Sequence, residues 1–106
     1  MDSAAGQYPV KSQPIYAASK WWARGFALSL SGTMERHGIG VTVLQPSEVR
    51  TEITSPKGVS RAEQHDPGEV LSTEQAAEAI LIAASQEEPA NVAQLDLYRR
   101  GMLNFL

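Results

Sequence analysis

The chain has 106 residues, enough for one domain at most. Its 9 lysine and arginine residues against 12 aspartate and glutamate residues give a formal net charge of −3, which argues against nucleic-acid and anionic-membrane partners. Cysteine is absent and the two histidines, His37 and His65, lack metal-pair spacing, so we expect no metal site. No apolar run approaches the ~20 residues of a membrane span. No signal peptide is visible either, so we expect no membrane partner and a cytoplasmic location.

The first predicted elements are a loop and a long helix. Residues 3–15 are predicted to form a loop because Pro9 and Pro14 interrupt helices. Residues 16–37 are predicted to form a helix, with a stripe of bulky side chains at every fourth position: Trp22, Phe26, Leu30 and Met34. Small residues form a separate row: Gly25, Ser29 and Gly32. That row suits either packing on a sheet or close approach of a second helix, and the sequence favours neither.

A buried parallel strand is predicted at residues 39–45. Gly38 is placed to end the preceding helix. The strand is predicted to be buried on both faces because residues 41–44 are β-branched or apolar without alternation. Pro46 is expected to close it.

The second half of the chain predicts a loop, a helix, a strand and a tail. Residues 52–71 are polar and punctuated by glycine and proline. Residues 73–87 are predicted to form a helix with Ser72 and Gln75 as a capping box. Its expected apolar face consists of Ala76, Ala77, Ile80, Leu81 and Ala84. Residues 92–98 are predicted to form a strand with Ala93, Leu95 and Leu97 on one face. Arg99, Arg100 and Gly101 are expected to form a solvated turn. The apolar tail that follows is expected either to dock on the fold or to remain an exposed apolar end.

Three side chains near the amino end suggest chemistry. Tyr16 and Lys20 are four residues apart, so a helix would place them on one face about 6 Å apart along its axis. An ammonium beside a phenol favours the phenolate, which suits proton exchange near neutral pH. The hydroxyl of Ser3 can return across the loop to hold a substrate oxygen. The trio therefore predicts proton transfer at a carbonyl or alcohol oxygen, against the alternative of an ordinary helix surface.

The spacing of these residues resembles the catalytic motif of the short-chain dehydrogenase/reductase family. Ser3, a twelve-residue gap and Tyr16-x-x-x-Lys20 follow that motif. Residues 37–44 resemble the turn and sixth strand of the family. Residues 46–51 resemble its Pro-Gly-x-Val-x-Thr cofactor loop, with Ser47 standing where the family usually has glycine. The resemblance is good from Ser3 to Thr51 and diffuse beyond.

The resemblance implies a role for each matching residue. Tyr16 would be the general acid/base, Ser3 would position the substrate oxygen, and Lys20 would hydrogen-bond the nicotinamide ribose and favour ionisation of Tyr16. The implied cofactor is NAD or NADP. The implied cofactor-binding residues are Tyr16, Lys20, Pro46, Val49 and Thr51.

The implied fold is α/β, the C-terminal part of a Rossmann-type doubly wound parallel sheet with about two strands and two main helices. Residues 1–106 would be a single partial domain. Its successive parts would be an active-site loop and helix (1–37), a strand and cofactor loop (38–51), a substrate lid (52–71), a last helix and strand (72–98) and a tail (99–106). The strand–Gly-x-x-x-Gly-x-Gly–helix motif is absent from the sequence, so the chain looks like the C-terminal half of such a protein.

The implied function is an NAD(P)-dependent oxidoreductase that transfers hydride between nicotinamide and a small carbonyl or alcohol substrate. The alternative is a non-catalytic interaction module that pairs through helix 16–37 with a full-length relative. A third hypothesis is a split enzyme completed by a separate chain. The family uses the corresponding helix in a dimer contact, which implies a homo-oligomer through helix 16–37.

Overall fold

The computed structural model describes residues 1–51 and 68–105. Four main elements follow one another: α1 (Pro14–Met34), β1 (Val43–Pro46), α2 (Thr73–Ala84) and β2 (Gln94–Leu97). Short 3₁₀ turns lie at Ala4–Gly6, Glu35–His37 and Met102–Phe105. In the described residues, two parallel strands and two main helices confirm the predicted α/β class. The predicted lid lies outside the described residues from 52 to 67.

The first helix begins at Pro14, two residues before the predicted start. The prediction that Pro14 breaks the helix is wrong. Proline suits the first helical position, where its missing N–H has no intrahelical partner to lose. The helix gives way to the 3₁₀ turn at Glu35, and Gly38 closes that turn with φ 71°, as predicted.

The two strands form a short parallel ladder in which β1 is the buried strand. All four residues of β1 are buried, and Leu44 lies opposite Leu95 and Gln45 opposite Asp96 in a parallel register. The predicted strand 39–45 starts too early, because the ladder opens only where the Val43 amide donates to Ala93. On the other edge of β1, the Asp2 amide donates to the Leu44 carbonyl at 2.6 Å. Residue 2 is therefore held beside the strand that supports the rest of the fold.

The strand β2 is shorter than predicted. It covers Gln94–Leu97 instead of residues 92–98. Leu95 and Leu97 are half-buried on one face, as the alternation predicted, whereas Ala93 is exposed.

The predicted capping box of α2 is confirmed. The Gln75 amide donates to Ser72 Oγ at 3.1 Å, and the Ser72 amide donates to Gln75 Oε1 at 2.9 Å. The predicted apolar face is mostly wrong, because only Ala76 of its five residues is buried, and Ala79 is buried instead. The exposed members are Ala77, Ile80, Leu81 and Ala84. A two-stranded sheet is narrow, so only a strip of small residues on the helix reaches it. The helix also ends at Ala84, three residues before the predicted end.

One face of α1 is open. Trp22 is 69% exposed and stacks on Phe26 with ring centroids 5.3 Å apart. Trp21 is also exposed, so neither of the two adjacent tryptophans enters the core of the described fold. A methyl group placed on Gly25 or Gly32 would meet no described atom within 4 Å. The small-residue row therefore does not pack on the sheet in the described part of the chain.

Candidate active site

A cavity of about 500 Å³ lies where β1 ends, between the first 3₁₀ turn and the start of α1. Five of the six predicted site residues line it: Ser3, Tyr16, Pro46, Val49 and Thr51. Its other walls include Tyr8, Val10, Glu48, Arg99 and Met102. In open α/β sheets, ligands bind beyond the carboxyl ends of the strands, which is the position of this cavity.

Ser3 is held in place although it is near the amino end. Its Oγ accepts from the Ala5 amide at 3.2 Å, and its carbonyl accepts from the Gly6 amide at 2.8 Å. The neighbouring Asp2 is bonded to β1, and Arg24 of α1 donates to the Gly6 carbonyl at 2.7 Å. These bonds join the turn that carries Ser3 to both the sheet and the helix.

Tyr16 and Lys20 share one helix face, as the spacing predicted. Tyr16 is the third residue of α1 and is 45% exposed. Lys20 Nζ lies over its ring, 5.6 Å from the centroid, within the range of a cation–π contact. Lys20 does not line the cavity. Its positive charge therefore lies beside the Tyr16 ring and not in the cavity wall.

The loop after β1 contains the one departure from the family motif, Ser47. Its amide donates to the Leu97 carbonyl at 2.9 Å, and its Oγ accepts from the Arg99 amide at 2.8 Å. Among the described residues, only glycines have positive φ. Serine therefore fits this position without backbone strain and adds a bond that glycine cannot make.

The other side of the same loop is fixed by Leu71. Val49 and Leu71 form a parallel bridge, with the Arg50 amide donating to Leu71 at 2.8 Å and the Leu71 amide donating to Glu48 at 3.1 Å. The loop that carries Val49 and Thr51 is thus bonded on two sides.

Sequence reasoning missed Glu48 and Arg99. Arg99 Nε lies 3.2 Å from Glu48 Oε2, and both side chains line the cavity. The expectation that both arginines of the turn are solvated is wrong for Arg99, which is partly buried, and correct for Arg100. Position 48 is variable in the motif, and Arg99 is 51 residues away from it in the sequence. No local sequence pattern therefore predicts that these two side chains pair.

The carboxyl end also contributes to the site. Met102 of the apolar tail is buried and lines the cavity, whereas Leu103 is exposed. Tyr98 accepts a hydrogen bond from the Gln7 amide and meets the Tyr8 ring edge-on at 6.2 Å. Burial raises the pKa of Tyr98, so it stays a neutral phenol in the physiological range.

Replacing Ser47 by alanine should destabilise the chain. The Arg99 amide would lose this acceptor, and a hydrogen bond of this kind contributes about 0.5–1.5 kcal/mol. Urea unfolding measures the loss, with Ser29→Ala on the exposed face of α1 as a control that should not lower stability. Equal stability of Ser47→Ala and the native chain would contradict the bond.

No helix in the described ranges is long and apolar enough to cross a bilayer.

Comparison with known proteins places these features in a family. The family model described as short chain dehydrogenase matches residues 1–62. The short-chain dehydrogenase/reductase prx7 of Penicillium rubens is 32% identical over 100 residues, covering 94% of this chain and 34% of that protein. The crystal structure of serine dehydrogenase from Escherichia coli shares the fold with a TM-score of 0.63 and 22% identity, covering 91% of this chain and 36% of that one.

The chain thus spans about a third of the length of each of these two proteins. The matched segment contains the whole Ser3, Tyr16 and Lys20 trio and the loop to Thr51. The chain belongs to the short-chain dehydrogenase family.

Proposed function

We propose that this chain forms the catalytic part of an oxidoreductase that transfers hydride between NAD(H) or NADP(H) and a carbonyl or alcohol. The observation that carries this proposal is the gathering of a phenol, a hydroxyl and a backbone loop around one cavity at the end of β1. Membership of the family supports it.

The residues present suit the nicotinamide end of the cofactor. The cavity volume of about 500 Å³ accommodates a nicotinamide ring and a small substrate, but not a complete dinucleotide with its substrate. Pro46, Val49 and Thr51 would hold the nicotinamide end, and Lys20 would hydrogen-bond its ribose. The glycine-rich motif that receives the pyrophosphate is absent from the sequence, so further polypeptide would hold the adenosine end.

The chain supplies the proton chemistry. A bound nicotinamide gives or accepts the hydride. Tyr16 Oη donates a proton to the carbonyl oxygen during reduction, and it takes that proton back during oxidation of the alcohol. Ser3 Oγ hydrogen-bonds the same oxygen and orients it toward Tyr16. The Lys20 ammonium, placed over the Tyr16 ring, stabilises the negative charge that develops on the phenol oxygen.

A chimera tests this function. The segment of prx7 that matches would be replaced by this chain, and oxidation of NADH and NADPH would be followed with a carbonyl substrate that intact prx7 reduces. We expect turnover by the chimera. A folded chimera that binds the nucleotide yet turns over none of that substrate would contradict the proposal.

A second candidate function, an interaction module, is favoured by the open face of α1. Trp22 and Phe26 expose a stacked aromatic surface, and Gly25 and Gly32 leave room for a second helix. The partner would be a second copy of this chain or a full-length relative. We expect light scattering to give a dimer mass for the chain and a monomer mass for Trp22→Glu; a monomeric native chain that also fails to bind a relative would exclude this function.

A further inference from the structure

Three buried side-chain oxygens in the described residues have no hydrogen-bond partner. They are Asp2 Oδ1, Asp2 Oδ2 and Gln45 Oε1. Gln45 is fully buried and Asp2 is 9% exposed. A buried polar atom without a partner costs free energy, so each of these atoms requires an explanation.

The two side chains meet beside Gly6. A Cβ built on Gly6 would lie 2.9 Å from Gln45 Oε1 and would collide with Asp2 Oδ2. Both oxygens therefore flank one point, in the space that the missing side chain of Gly6 leaves open.

The orientation of the Gln45 amide is fixed by its nitrogen. Nε2 donates to Asp96 Oδ1 at 2.8 Å and to Gln94 Oε1 at 3.2 Å. A flipped amide would place its oxygen against these two acceptors. Gln45 must therefore direct Oε1 away from β2, toward Asp2 and Gly6.

An ionised Asp2 would leave Gln45 Oε1 without a hydrogen-bond donor. A carboxylate only accepts hydrogen bonds. The Gln45 amide oxygen that it would face is also only an acceptor. A neutral carboxylic acid has one O–H donor, which can bond Gln45 Oε1. A single proton on Asp2 therefore gives both the carboxyl group and Gln45 Oε1 a hydrogen-bond partner.

The surroundings of Asp2 have opposing effects on its pKa. Burial raises the pKa of Asp2. The side chains of Lys20 and Arg24 on α1, the amino-terminal ammonium and the backbone amide of Ser3 act against that rise. From β2, Asp96 lies behind the Gln45 amide. The balance lies with burial, so the pKa of Asp2 is above its ordinary value of 3.8.

We propose that Asp2 and Gln45 form a proton-binding site, in which a neutral Asp2 carboxyl donates to Gln45 Oε1 and fixes the segment carrying Ser3 against β1. The site is independent of the proposed oxidoreductase function, since it needs neither nicotinamide nor substrate. Because the folded pKa is raised, the stabilisation is complete below the unfolded value and is lost as the pH rises through the folded value. The turn at Ala4–Gly6 should therefore loosen as the pH rises.

Carbon-13 NMR of the full chain, labelled at aspartate, tests the proton directly. We expect the side-chain carboxyl carbon of Asp2 to titrate with a midpoint above 3.8. The signal is assigned in the native chain by through-bond correlation with the Asp2 backbone amide, and its loss in Asp2→Asn checks the assignment. A midpoint at or below 3.8 would overturn the proposal.

Urea unfolding of the same chain provides a second readout. As the pH rises above 3.8, the native chain should lose stability relative to Asp2→Asn, because the asparagine amide donates to Gln45 at every pH. Glu35→Gln, an exposed acid-to-amide change, should keep the native pH dependence. A native chain that gains stability relative to Asp2→Asn over this range would show an ionised Asp2 paired with Lys20 or Arg24, and would overturn the proposal. If Asp2→Asn does not fold, the NMR midpoint of the native chain still decides.

Discussion

Phenylalanine at position 16 is expected to lower the turnover of the prx7 chimera by about 10²–10⁴-fold, the range typical of losing a general acid/base. The change removes only the phenol oxygen of a side chain that is 45% exposed on the cavity. Folding should therefore be unaffected. Nucleotide binding should be retained, because Lys20, Pro46, Val49 and Thr51 remain in the variant.

Tyr98→Phe is the matched control for this prediction. Tyr98 does not line the cavity, and its hydroxyl accepts from Gln7. Its loss should reduce stability by about 0.5–1.5 kcal/mol and leave turnover within about tenfold of the parent. If Tyr16→Phe retains full turnover, Tyr16 is not the proton donor.

Alanine at Gly6 is expected to be the most destabilising small change in the described residues. Its Cβ would collide with Asp2 Oδ2 and lie 2.9 Å from Gln45 Oε1. Gln45 cannot retreat, because it is fully buried and bonded to β2. Overpacking of this kind costs about 1–3 kcal/mol, and disturbing the Asp2 contact with β1 adds to it. Urea unfolding should show the loss.

Gly25→Ala is the control for Gly6→Ala. No described atom lies within 4 Å of its Cβ position, and the residue sits inside α1. Alanine there should raise stability by up to about 1 kcal/mol through helix propensity. If both alanine variants have the same stability, the crowding beside Gly6 is not real.

Local rules predicted much of this fold. The Ser72–Gln75 capping box, the left-handed Gly38 and the buried parallel strand are each determined by a few neighbouring residues. The Ser3 and Tyr16-x-x-x-Lys20 spacing indicated the site, because the motif and the loop after β1 resemble one family.

The features that the sequence did not predict depend on distant residues. The bond between Ser47 and Arg99 joins positions 52 residues apart. The predicted apolar face of α2 was mostly wrong because the exposure of Ile80 and Leu81 depends on the width of the sheet. Helix periodicity carries no information about that width. The sequence did not predict the Asp2–Gln45 pair, because one aspartate and one glutamine form no recognisable motif.

The most direct test of the proposed function measures deuterium transfer from the nucleotide to the product. With nicotinamide nucleotide deuterated at the hydride position and a carbonyl substrate, mass spectrometry of the product shows whether the chimera moves the label. We expect the chimera with Tyr16 to form an alcohol that carries deuterium, and Tyr16→Phe to form almost none. An unlabelled alcohol, or equal labelling by both proteins, would contradict the proposed function.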